Sequence, residues 1–88
     1  MITNEQVNSI AARIETLGVD ESAVSELRQQ YQLIHFTYCM DDDLPNNTPV
    51  IERKDFNLYL IDGREHCLCL TNDYDVATGI VVAEIIPD

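Results

Sequence analysis

The spacing of the apolar residues changes once along the chain of 88 residues, and this change constrains the fold most strongly. Up to Tyr31 they recur every three or four positions, as on one face of a helix; afterwards they alternate with polar residues, as in strands. The spacing of Thr3 and Gln6 is typical of a capping box, Gly18 is a helix stop, and Asp20 is a second N-cap. We therefore predict helices over about 3–18 and 20–31, and strands over about 33–40, 55–61, 65–71 and 79–86.

These elements define one α+β domain that spans residues 1–88. Asp62 and Gly63 have the composition of a hairpin turn between the second and third strands. The predicted architecture is two N-terminal helices packed on a four-stranded antiparallel β-meander. A chain of this length buries roughly 60–65% of its unfolded surface, which suffices for a modest core without disulfides.

Acidic residues outnumber basic ones by 16 to 5, which gives a formal net charge of −11. Nucleic acids and anionic membranes require a positive protein surface, so we expect neither as a partner. A protein partner with a basic patch fits this charge, and self-association through the sheet face is the other expected interaction. The charge is also consistent with a role in solubility alone.

Cys39, Cys67 and Cys69 form an odd set, whereas a disulfide framework in a secreted chain normally has an even number of cysteines. The first residues have neither the basic start nor the apolar run of a signal peptide. No stretch approaches the roughly 20 apolar residues of a membrane helix. We therefore expect a cytoplasmic protein with reduced thiols and no cofactor.

One face of the predicted sheet carries an unusual set of polar and sulfur-bearing residues. If the helices cover the face of Phe36 and Leu58, strand alternation places this set on the opposite face. Free cysteine is usually buried, so cysteines at this position favour a covered surface, such as a partner or dimer interface. The candidate partner-binding residues on this face are Thr37, Cys39, Tyr59, Cys67 and Cys69, and we expect Asn57 and Glu84 beside them.

A metal site is the alternative hypothesis for the same face, because imidazole and thiolate groups are typical ligands of zinc, iron or copper. In a meander the first and third strands lie roughly 9–10 Å apart, so ligands on them converge with difficulty. Cysteine catalysis is disfavoured further, since Cys39 lies roughly 13 Å from His35 along its strand, and we expect no enzyme. The proposed metal ligands are His35, Cys39, Cys67 and Cys69.

Three consecutive carboxylates, Asp41, Asp42 and Asp43, follow the first predicted strand. The calcium-loop pattern fails here, because the third ligand position counted from Asp41 is Pro45 and no glycine follows it. A solvated loop is the simpler interpretation. The same loop is a candidate docking site for the basic side chains of a partner, so its three aspartates join the candidate partner-binding residues.

Three stretches together carry a resemblance that covers most of the chain: HFTYCMDDD, FNLYLIDGREHCLCLT and ATGIVVAEI. With them the chain resembles a family of small acidic bacterial proteins of unknown function, often encoded near nitrogen-fixation genes. The resemblance implies a cytoplasmic accessory protein that docks on a metalloprotein or on its assembly machinery. It implies no active site, so no residue role is transferred from it.

Overall fold

A computed structural model describes residues 2–44, 46–63 and 69–86 of the chain. This part has two helices, one 3-10 turn and five strands, which confirms the predicted α+β class. The helices are α1 (Asn4–Leu17) and α2 (Glu21–Gln30), and the strands are β1 (His35–Met40), β2 (Ile51–Glu52), β3 (Phe56–Asp62), β4 (Cys69–Thr71) and β5 (Gly79–Glu84). The 3-10 turn is Asp41–Asp43, called the acidic turn below.

Both helices begin at the capping residues that the sequence predicts. The Thr3 hydroxyl accepts the Gln6 backbone N–H at 3.1 Å, and the Gln6 side chain accepts the Thr3 N–H at 3.0 Å. Asp20 accepts the Ala23 N–H at 2.9 Å. α1 ends at Gly18, whose φ of 92° strains any residue that carries a side chain. Neither helix in the described ranges is long and apolar enough to cross a membrane.

The five strands form one mixed sheet, not the predicted four-stranded antiparallel meander. Their order is β1-β5-β3-β2, and β4 also pairs with β3. β1 is parallel to β5, whereas β2, β4 and β5 are all antiparallel to β3. The prediction of a meander was wrong because it assumed that each strand pairs with the next strand in the chain. That arrangement is the commonest one, but it is not the only one.

β5 lies between β1 and β3, and its sequence is apolar on both faces. Its residues from Gly79 to Ala83 are all buried, and continuous apolar runs are typical of strands covered on both sides. Ile80 pairs in register with Phe36 of β1 and with Leu60 of β3. These three side chains therefore share one face of the sheet.

The main core lies between this face and the two helices. It contains Phe36 and Leu58, so the helices cover their face, which the sequence left open and took only as a condition. Each large apolar side chain in the core contributes about 1.5–3 kcal/mol through its burial. The largest fully buried side chains are Phe56, Ile10, Ile14, Leu27, Leu58, Leu60, Ile80, Val7, Val24 and Val82.

A second and smaller core lies on the opposite face of the sheet, called the outer face below. β1 and β2 lie at opposite edges of the sheet, so the chain between them must cross it. Leu44, within this connection, packs on the outer face, so the connection crosses there and covers apolar side chains. The buried residues of the smaller core are Tyr59, Ile61, Val81 and Ala83.

Candidate functional site

Two hydrogen bonds from β3 fix the side chain of Asp41 over the outer face. The Asn57 amide and the Tyr59 hydroxyl each donate to Asp41 Oδ1 at 2.9 Å. Asn57 and Tyr59 lie two residues apart in one strand, so their side chains point to the same face. The first residue of the acidic turn is therefore anchored to an interior strand of the sheet.

The other two carboxylates of the acidic turn remain open to solvent. Asp42 and Asp43 are exposed, whereas Asp41 is half-buried. Within the described residues, no ion pair joins the turn to a basic side chain, while Arg53 pairs with Glu15 of α1 at 2.6 Å. The acidic turn therefore presents negative charge that this part of the chain does not neutralise.

The described lysine and arginine side chains belong to a different region of the molecule. Two arginines lie in the helices, and the basic pair lies between β2 and β3, next to α1. These residues are Arg13, Arg28, Arg53 and Lys54. Because the helices cover one face of the sheet and the acidic turn is bonded to the other, these basic side chains lie apart from the acidic turn. Several glutamates accompany them in the helices.

Burial raises the pKa of the Cys39 thiol, and the carboxylates of Asp43 and Asp41 raise it further. Burial also raises the pKa of Tyr59, to which the hydrogen bond with Asp41 adds. Both groups are therefore neutral at pH 7. Since the thiolate is the nucleophile and the metal ligand, Cys39 is less reactive than an ordinary exposed thiol.

Glu84 lies on the helix-covered face, not on the outer face where the sequence placed it. It pairs in register with Met40 and with Phe56, and its carboxylate accepts a hydrogen bond from the Tyr38 hydroxyl. This bond is the main cause that raises the pKa of Tyr38 to about 12, and burial and the charge of Glu84 add to it.

The candidate residues of β1 and β3 do lie on the outer face, but with unequal exposure. His35 and Thr37 are exposed there, and Cys39 is half-buried. Tyr59 is only 3% exposed. Its ring therefore belongs to the smaller core, and its hydroxyl holds Asp41, so Tyr59 positions the acidic turn without offering a surface of its own.

Cys69 does not share a face with Cys39, which corrects the set of candidates. β4 pairs Leu70 with Ile61 of the smaller core, so the preceding residue of the strand, Cys69, lies on the other face, where it is exposed. The prediction that placed Cys69 on the outer face was wrong, because by strand alternation it required Leu70 to lie on the helix-covered face. Cys67 lies outside the described residues.

This register also removes Cys69 from the proposed metal ligands, because the sheet itself lies between its side chain and that of Cys39. His35 and Cys39 share the outer face, but roughly 13 Å of strand lies between them. Among the described residues, no group of three or more His, Cys, Asp or Glu side chains is placed to hold a metal ion. The fourth proposed ligand, Cys67, is not among those residues.

Two features of this region were not predicted from the sequence. The bond between Asn57 and Asp41 joins residues 16 positions apart, and no local pattern marks such a pair. The Arg28 guanidinium donates to the Phe36 backbone carbonyl at 3.0 Å, at the edge of the sheet. The alternation in β3 places Asn57 on the correct face, but only the path of the connection after β1 identifies its partner.

The fold and the site together define a small acidic α+β domain in which a carboxylate turn is fixed to one face of a mixed sheet. The chain belongs to DUF6129, a family of unknown function, whose model matches residues 9–85. No curated protein and no solved structure was found to match the chain.

Proposed function

We propose that the protein is a non-enzymatic accessory protein that binds a protein partner, and that the acidic turn contacts a basic patch on that partner. The observation that carries this proposal is the anchoring of Asp41 by Asn57 and Tyr59. Anchoring reduces the conformational entropy that a charged loop loses on binding. Asp42 and Asp43, which follow directly, are exposed and available for contact.

The outer face contributes less to this proposed contact than the acidic turn. Its apolar side chains, such as Ile61 and Val81, are already buried within the chain. What remains exposed there from β1 is polar, namely His35 and Thr37. The net charge of −11 favours a positively charged partner and increases the rate of encounter with it.

The cellular location of this interaction and the class of the partner are part of the same proposal. The resemblance described above implies a cytoplasmic protein of a bacterium with nitrogen-fixation genes. An acidic accessory protein there would dock on a metalloprotein or on the proteins that assemble it. The raised pKa of Cys39 supports a role without cysteine catalysis, because a neutral thiol is a poor nucleophile.

The test is affinity capture from an extract of the native source, with the bound proteins quantified by mass spectrometry. Asp42→Asn/Asp43→Asn should release the captured partner at lower salt than the wild type and reduce its recovery at least about fivefold, since both contacts are charge-assisted. Glu5→Gln/Glu26→Gln is the matched control, because it also removes two negative charges, from exposed positions in the helices on the other side of the sheet.

Retention of the partner by the control and its loss from the acidic-turn variant would support the proposal. Equal losses in the two variants would indicate a response to net charge alone and remove the acidic turn from the interface. Unchanged recovery in both variants would show that the partner binds another surface. Circular dichroism of each variant verifies that the fold is intact.

A further inference from the structure

The two edges of the sheet differ in how well they are protected against pairing with another chain. β2 is only two residues long, and Pro49 precedes it while Arg53 and Lys54 follow it. Short strands, proline and basic side chains all discourage the addition of a further strand. β1 has six residues, HFTYCM, without proline or lysine.

The backbone of β1 alternates between the interior of the sheet and its open edge. The His35 N–H donates to the Thr78 carbonyl at 3.2 Å, on the side of β5. The next residue, Phe36, directs its carbonyl the other way, where Arg28 donates to it at 3.0 Å. By the same alternation, Tyr38 and Met40 direct their N–H and C=O groups outwards.

Arg28 protects only the beginning of this edge. Within residues 2–44, 46–63 and 69–86, no hydrogen bond reaches the outward backbone groups of Tyr38 or Met40. The acidic turn follows Met40 directly. The open part of the edge is therefore continuous with a cluster of negative charge.

We propose that an extended, lysine- or arginine-bearing segment of a partner adds to the sheet along β1, pairing with Tyr38 and Met40 and placing its basic side chains beside Asp41–Asp43. This inference rests on the proposed function and specifies its partner. Backbone hydrogen bonds supply affinity in strand addition, and side chains supply specificity. A second copy of the chain is the less suitable occupant, because pairing two copies brings together twice the net charge of −11.

Met40 offers a substitution that blocks the edge without disturbing the sheet. Its φ is −88° and its ψ is 143°, close to the backbone conformation of proline, whose φ is about −65 ± 15°. Met40→Pro removes the outward N–H, and none of the bonds between β1 and β5 uses that group. Met40→Leu keeps the N–H with a side chain of similar volume and is the matched control.

The experiment selects eight-residue peptides from a random displayed library against the wild-type protein and measures the affinity of synthetic copies. We expect peptides rich in lysine or arginine that alternate with β-branched or aromatic residues. Met40→Pro should weaken their binding by about tenfold or more, as expected for a lost hydrogen bond and its unpaired acceptor, and Met40→Leu should not. In hydrogen exchange, the Tyr38 and Met40 amides should gain protection when a peptide binds.

The other outcomes separate the two proposals. Basic peptides that bind Met40→Pro as well as the wild type would overturn strand addition and leave the acidic turn as the contact. Peptides that are insensitive to Asp42→Asn/Asp43→Asn would overturn the proposed function itself. A dimer of the wild type that Met40→Pro dissociates would assign the edge to a second copy, and the absence of any binder tighter than about 100 µM would overturn the inference.

Discussion

At the scale of single residues, the protein uses tyrosine hydroxyls on both faces of the sheet to hold carboxylates. Tyr59 donates to Asp41 on the outer face, and Tyr38 donates to Glu84 on the helix-covered face. In each pair the tyrosine is the donor, so ionisation of the hydroxyl would remove the bond and place two negative charges together. The neutral tyrosine is therefore favoured. This is the main reason why the pKa of Tyr38 is raised, whereas burial raises the pKa of Tyr59 most and the hydrogen bond with Asp41 adds to it.

We predict that Tyr38 remains largely neutral at pH 11. With a pKa of about 12 it would be about one-tenth ionised, whereas an ordinary tyrosine would be about nine-tenths ionised. Because the folded-state pKa is raised, the pair stabilises the fold fully below about pH 10, and this stability is lost as the pH rises towards about 12. The ¹³Cζ resonance of Tyr38, assigned by its loss in Tyr38→Phe, reports the titration.

Glu84→Gln is the control for this titration, since it removes the charge of the acceptor while keeping its shape. The pKa of Tyr38 should then fall towards its ordinary value of 10.0. An unchanged midpoint in Glu84→Gln would contradict the assigned cause.

At the scale of elements, the contact between β1 and β5 depends on a residue without a side chain. A Cβ added at Gly79 would lie 2.8 Å from the His35 carbonyl oxygen and 2.9 Å from the His35 Cβ. Neither neighbour is the flexible end of a side chain, so the strands themselves would have to move apart. Gly79 therefore permits the close parallel pairing that begins at His35.

We predict that Gly79→Ala lowers the free energy of unfolding by about 1–3 kcal/mol, as expected for overpacking at a buried site. Urea denaturation followed by circular dichroism measures the change. Ser25→Ala on the exposed side of α2 is the control and should remain within about 0.5 kcal/mol of the wild type. A loss no larger than that of the control would mean that β1 and β5 are not packed as described.

The elements that depend on neighbouring residues could be predicted from the sequence, and those that depend on distant ones could not. Thr3 and Asp20 cap their helices within three positions along the chain. The pairing of β5 with β1 joins residues 44 positions apart, such as His35 and Gly79, which no local pattern encodes. The apolar run that begins at Gly79 does indicate a strand covered on both faces, but not which strands cover its edges.

The candidate site shows the same division. Alternation in β1 places Thr37 and Cys39 on the outer face. Because side chains alternate along a strand, the face of one residue determines the face of every other residue in it. Cys69 was misplaced because β4 pairs in a register that turns Leu70 to the outer face. A shift of one residue reverses the face of each side chain, so the sequence alone could not assign Cys69.

At the scale of the whole molecule, negative charge occurs on both sides of the sheet, whereas the few described basic side chains lie away from the acidic turn. The described basic side chains lie in the helices or in the connection between β2 and β3, whereas the acidic turn is attached to the outer face. With a net charge of −11, repulsion between carboxylates opposes the compact state more than ion pairs support it. The exposed pair of Arg53 and Glu15 contributes at most about 1 kcal/mol.

We therefore predict that salt stabilises the protein. Raising NaCl from about 0.01 M to about 0.15 M shortens the screening distance from about 30 Å to about 8 Å, which weakens the repulsion across a molecule whose longest axis is 34 Å. A gain of about 0.5–1 kcal/mol would raise Tm by roughly 2–8 °C in calorimetry. Glu5→Gln/Glu26→Gln, with two fewer negative charges, should gain less from the same salt. A Tm that falls with salt would show that ion pairs outweigh the repulsion, and a control that gains as much as the wild type would mean that the rise does not come from screened charge.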